Sequence, residues 1–114
     1  MKKVAELISL KGSAALITGA TGNIGQEVAL TIAELGGNLI LVDRPGSNYD
    51  QIRENVLDNW NVNVKCIDCD LENHNSRINL IEEIVKNNVN LDILINNAAF
   101  VGESNLEGWV EDFD

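Results

Sequence analysis

Basic residues are scarce in this 114-residue chain: eight lysines and arginines face eighteen acids, for a formal net charge of -10. A field of that sign repels phosphate backbones and anionic lipid surfaces, which argues against nucleic acid as a partner. Long apolar runs are missing too. No stretch reaches the roughly 18 residues that a spanning helix needs. Glu6 interrupts the apolar start, Met1 to Leu10, and no small-residue cleavage site follows it. The expectation is a cytoplasmic protein with neither an export signal nor a membrane partner. Histidine occurs once, so His74 has no second imidazole with which to share a metal, and it reads as a surface residue near a helix start. Cys66 and Cys69 spell C-x-x-C. Asn63 to Ile67 reads as a strand, where side chains three apart point to opposite faces with Cα atoms about 10 Å apart, so neither a disulfide nor a metal site is expected.

What is present has the mix of a globular protein, with 45 % hydrophobic and 23 % charged residues. The length fits one folding unit over residues 1–114. Ala14 to Thr18 is a short apolar run ending in glycine, as in a buried parallel strand. Ile24, Val28, Ile32 and Leu35 follow at helical spacing, and Gly36-Gly37 stands where a left-handed helix cap belongs. Asn38 to Val42 reads as a second strand, stopped by the turn at Pro45-Gly46. A second helix is expected from about Asn48, with Asn48 and Gln51 as a capping box and Ile52, Val56 and Trp60 as its stripe. Val62 to Ile67 is less apolar, in keeping with a strand near the sheet edge. A third helix is expected to turn Ile78, Ile81, Ile84 and Val85 inward and to end near Asn87-Asn88, before a fourth strand, Leu91 to Ile95. Strands alternating with helices imply right-handed crossovers and a parallel α/β sheet covered on both faces: a three-layer, Rossmann-type, doubly wound unit.

Between the first strand and the first helix lies Thr18-Gly19-Ala20-Thr21-Gly22-Asn23-Ile24-Gly25. In that position each glycine has a task. Gly19 permits the tight turn, Gly22 lets backbone approach a pyrophosphate, and Gly25 allows close helix packing, while the helix N-terminus supplies partial positive charge. In a molecule this acidic, such local dipoles must do what net charge cannot. Asp43 ends the second strand 18 residues after Gly25, near the distance at which an acid meets the adenosine ribose hydroxyls. That favours NAD as cofactor. Arg44 beside it offers a 2′-phosphate a partner and keeps NADP as the alternative.

With Asp70-Leu71 after the third strand and Asn96-Asn97-Ala98-Ala99 after the fourth, the chain resembles the N-terminal half of short-chain dehydrogenases/reductases. The resemblance implies a sheet of order 3-2-1-4 in the part present and an oxidoreductase that interconverts alcohol and carbonyl groups by hydride transfer. It also implies that Asp70 contacts the adenine ring, with Leu71 beside it. Asn97, Ala98 and Ala99 would steady the sheet close to the cofactor. Asn23 and Ala99 stand where the compact branch usually has glycine, and Gly22 also suits the extended, sugar-nucleotide-modifying branch; Asn-Asn-Ala-Ala points to the compact one. An extended-type epimerase or dehydratase, and a dinucleotide-binding module without catalysis, are the alternatives.

The family's catalytic Ser and Tyr-x-x-x-Lys have no match in these residues: the only tyrosine, Tyr49, is followed four positions later by Arg53 and belongs to the adenosine end. The chain alone is therefore expected to be inactive and to be part of a longer protein. That protein would act on a small molecule, such as a sugar or sugar nucleotide, and be homo-oligomeric when intact. The tail Phe100 to Asp114 reads as a loop beside the substrate pocket, with a weak resemblance to bacterial oxidoreductases of flagellin or surface-polysaccharide modification. A fourth strand lacking a fifth neighbour would leave an open edge and exposed apolar surface, so poor stability or self-association is expected.

Overall fold

The computed structural model describes residues 8–87 and 89–98. Its element order is β1 (Ala14–Thr18), α1 (Asn23–Glu34), β2 (Asn38–Asp43), α2 (Asp50–Asn59), β3 (Val64–Asp68), α3 (His74–Lys86) and β4 (Ile93–Ile95). All strand pairs are parallel and the sheet order is β3-β2-β1-β4, as the resemblance implied.

Alternation along the two central strands explains why they are apolar at consecutive positions. Ile17, Leu39 and Leu41 enter one core with Ala29 and Ala33 of α1 and Ile52 and Val56 of α2. Leu16, Ile40 and Val42 point the other way, into a second core with Cys69 and Leu80 of α3. Helices thus pack on both faces of the sheet, but β4 is poorly covered: Leu94, in register with Leu16, remains 60 % exposed. Cys66 packs against the first core and Cys69 lies within the second, so the two thiols sit on opposite faces and both are free.

Three sequence expectations need correction. The face α1 buries most deeply is the small-residue row Gly25, Ala29 and Ala33, whereas Ile24 is 70 % exposed and Val28 and Ile32 pack only in part. Small side chains let the helix axis lie close to the sheet, which the large apolar residues beside them could not do. In α3 the inward residues are Leu80 and Ile84, while Ile78, Ile81 and Val85 are exposed. The helix carries two apolar stripes and the sheet takes one. Finally, α2 begins at Asp50 rather than at Asn48. Asn48 Oδ1 accepts the Asp50 amide at 2.9 Å, a local turn before the helix, and Tyr49, in the N-cap place, makes no side-chain cap.

Other local signals are realised. Gly36, at φ 92°, ends α1: its amide donates to Ala33 O and that of Gly37 to Ile32 O, the paired bonds of a Schellman cap. Asn73 caps α3 by accepting the Ser76 amide, and His74 is the exposed first residue of that helix. No described helix is long and apolar enough to cross a membrane. The expectations for Met1 to Leu7, Asn88, Ala99 and the Phe100 to Asp114 tail lie outside the described residues.

Candidate functional site

Parallel strands bring their C-terminal ends to one side of the sheet. The chain winds from β1 outward to β3 and then returns to place β4 on the other side of β1. At such a reversal the flanking connections diverge to opposite faces and leave a crevice. Here the crevice is a cleft of about 650 Å³.

Its floor is the turn from β1 into α1. Gly19 adopts φ 65°, and a Cβ there would stand 3.1 Å from Ala98 Cα. Gly25 is buried in the first turn of α1, where a Cβ would come within 2.2 Å of Gly19 O and 2.9 Å of Ala20 Cα. No side chain fits, so helix and turn interlock through bare backbone. Gly22 differs, because its φ of -77° suits any residue and a Cβ would meet only Gly19 O, at an ordinary 3.5 Å. What glycine contributes at 22 is an open cleft wall. As N-cap of α1 it offers no side-chain bond, and no acid occupies the first turn. The first amides of the helix therefore keep their partial positive charge and bonding capacity at the cleft.

Asp43 closes one wall. Its Oδ2 accepts the Thr21 amide at 3.0 Å and the Thr21 hydroxyl at 2.6 Å, and its Oδ1 accepts the Arg44 amide at 2.8 Å. Burial opposes the charge on this carboxyl, but the two Thr21 bonds, the Arg44 amide and the Arg44 guanidinium outweigh it and hold the group below the usual aspartate range. Its backbone amide donates to the Tyr49 hydroxyl at 2.9 Å. That hydroxyl also lies 3.0 Å from Asp68 Oδ1. Burial and the bond to Asp68 push its ionisation above the ordinary tyrosine value. Tyr49 thus ties the ends of β2 and β3 together, accepting from the Asp43 amide and donating toward Asp68.

The opposite wall is fastened by Thr18, a buried polar residue. Its Oγ1 accepts the amides of Asn97 and Ala98, each at 3.0 Å. The Asn97 side chain in turn donates to Gly19 O at 3.3 Å. Asn97 therefore braces the turn from the β4 side.

The cleft brings together Gly19, Thr21, Gly22, Asn23 and Ile24 with Asp43, Arg44, Asp70, Leu71, Asn97 and Ala98. Gly25 stands behind the wall as its support, and Ala99 lies outside the described residues. Sequence reasoning missed Val42, Cys69 and Glu72 as lining residues. Their only signal was adjacency to Asp43 and Asp70. It also missed the bonding roles of Thr18, Thr21 and Tyr49, since no motif spacing announces which hydroxyl meets which strand end.

A family model described as short chain dehydrogenase matches residues 13–113. The very-long-chain 3-oxoacyl-CoA reductase of Coccidioides immitis is 39 % identical over 91 residues, covering 78 % of this chain and 26 % of that protein. The 3-oxoacyl-(acyl-carrier-protein) reductase of Rickettsia felis is 36 % identical over 112 residues, covering 95 % and 42 % respectively. Among solved structures, the NADPH-dependent 3-quinuclidinone reductase of Rhodotorula rubra superimposes with a TM-score of 0.72 at 29 % identity, over 97 % of this chain and 44 % of the other. The chain spans between about a quarter and less than half of the length of these relatives.

Proposed function

The chain belongs to the short-chain dehydrogenase family, and on that premise we propose that its cleft holds a nicotinamide dinucleotide, NAD in preference to NADP. It would be the cofactor-binding part of an oxidoreductase that interconverts alcohol and carbonyl groups on a small molecule. One observation carries the reading: the side-chain-free interlock of Gly25 with Gly19 holds an uncapped helix N-terminus open onto a cleft whose wall is an ionised aspartate.

The residues fit the group. Backbone amides at the start of α1 bind the pyrophosphate, which lowers no barrier by itself but fixes where the rest of the cofactor lies. Asp43 accepts a ribose hydroxyl. Asp70 and Leu71 border the adenine, and Asn97 and Ala98 run along the path toward the nicotinamide. When bound, the nicotinamide would supply hydride transfer at C4, and the residues of this cleft would orient it. The preference for NAD follows from charge. Three carboxylates of the lining, Asp43, Asp70 and Glu72, face one guanidinium, Arg44, so a 2′-phosphate enters an unfavourable field.

Calorimetry of the chain with NAD, NADP and ADP-ribose tests this. Binding of NAD and ADP-ribose, weakened by Asp43→Ala, is the expected result. A folded chain that binds none of the three would refute it.

A further inference from the structure

Asp43 is not free to arrange itself around whatever enters the cleft. A carboxylate has about four acceptor places, two on each oxygen. Thr21 fills both places on Oδ2, one with its amide and one with its hydroxyl, and the Arg44 amide fills one on Oδ1. A single place remains. Thr21 is itself anchored, because the Gln26 side chain of α1 donates to its carbonyl at 2.7 Å. Behind Asp43, the Tyr49 hydroxyl accepts the Asp43 amide and also meets Asp68, so main chain and side chain are gripped from different elements.

We propose that Thr21 is a positioning residue for nucleotide selectivity: by committing its amide and hydroxyl to one oxygen of Asp43, it presents the other to a single ribose hydroxyl and disfavours a ribose that carries a 2′-phosphate. The inference rests on the reading of the cleft as a dinucleotide site. Its physical content is that discrimination needs a carboxylate that cannot leave. An untethered aspartate would rotate toward solvent when a phosphate arrives, and the neighbouring Arg44 guanidinium would then take the phosphate. With the hydroxyl bond in place, rotation breaks a short charge-assisted hydrogen bond, and such bonds are the stronger ones in proteins. The Thr21 hydroxyl, spent on Asp43, acts on the cofactor through that residue.

The experiment compares the chain with Thr21→Val, Thr21→Ala and Thr21→Ser, each checked by its circular dichroism melt, with two readouts. First, affinities for ADP-ribose and 2′-phospho-ADP-ribose are measured by calorimetry and expressed as a ratio. Loss of the hydroxyl is expected to reduce the preference for the unphosphorylated ligand about tenfold, the equivalent of one charge-assisted bond. Thr21→Ser should restore it. Second, the Asp43 carboxyl is titrated by NMR without ligand; its pKa should rise in Thr21→Val and Thr21→Ala and return in Thr21→Ser. A merely structural role would lower both affinities together and leave their ratio unmoved. If the parent chain prefers ADP-ribose but the ratio is unchanged in a folded variant, this inference falls and the dinucleotide reading stands. If the folded parent binds neither ligand, the dinucleotide reading falls and the inference with it.

Discussion

Two glycines three residues apart in the same turn should respond to the same substitution in opposite ways. Alanine in place of glycine inside a helix ordinarily stabilises by about 0.5–1 kcal/mol. At Gly25 the added methyl would lie 2.2 Å from Gly19 O and 2.9 Å from Gly19 C and Ala20 Cα, all main-chain atoms that cannot rotate aside. Relief requires α1 to move off the turn, and overpacking of this kind costs about 1–3 kcal/mol. Gly25→Ala is therefore expected to lower stability by about 1–2 kcal/mol net and to weaken NAD binding, because the helix mouth moves with it. At Gly22 the nearest atom is at 3.5 Å and φ is ordinary, so Gly22→Ala should keep the melting midpoint nearly unchanged, with a small cost for a poorer N-cap. Gly22 lines the cleft, so on the proposed reading the added methyl would hinder close approach of a pyrophosphate. Urea unfolding followed by fluorescence, paired with NAD calorimetry, separates the two outcomes. The reasoning fails if Gly25→Ala is as stable as the parent, or if Gly22→Ala binds NAD undiminished.

Tyr49→Phe removes the acceptor of the Asp43 amide and should cost about 1–2 kcal/mol in urea unfolding. Because folding raises the Tyr49 ionisation, its contribution is complete below about pH 10 and drains away as pH rises from there through the folded value, so parent and variant should converge in alkaline melts. Asp43 has the opposite sign: its lowered pKa gives stability that is complete above about pH 4 and lost as pH falls through the folded value, a dependence that Asp43→Asn should flatten. Thr18→Val leaves the Asn97 and Ala98 amides without their acceptor and should destabilise by about 1–3 kcal/mol, with faster amide exchange at both positions. Ile81→Lys with Val85→Lys, on the exposed stripe of α3, should reduce self-association in sedimentation velocity while leaving the melting midpoint within about 2 °C.

Much of this protein was legible in one dimension, because it depends on contacts near in sequence or on a period. Strands β1 and β2 announced themselves as apolar runs, since a strand covered on both faces needs apolar residues at every position. Gly36-Gly37 marked its cap, and the loop from Thr18 to Gly25 marked the floor of the cleft, because helix, turn and strand there are neighbours along the chain. Only the tertiary structure decided which stripe of α1 and α3 faces inward. Amphipathic counting finds apolar residues, but what a helix buries depends on how near the sheet its smallest side chains let it come. The tertiary structure likewise decided the bonds that set Asp43. Thr21 and Tyr49 bond to it from other elements, and Asp68 is tied in only through the Tyr49 hydroxyl; parallel packing aligns those strand ends at distances that sequence separation does not encode.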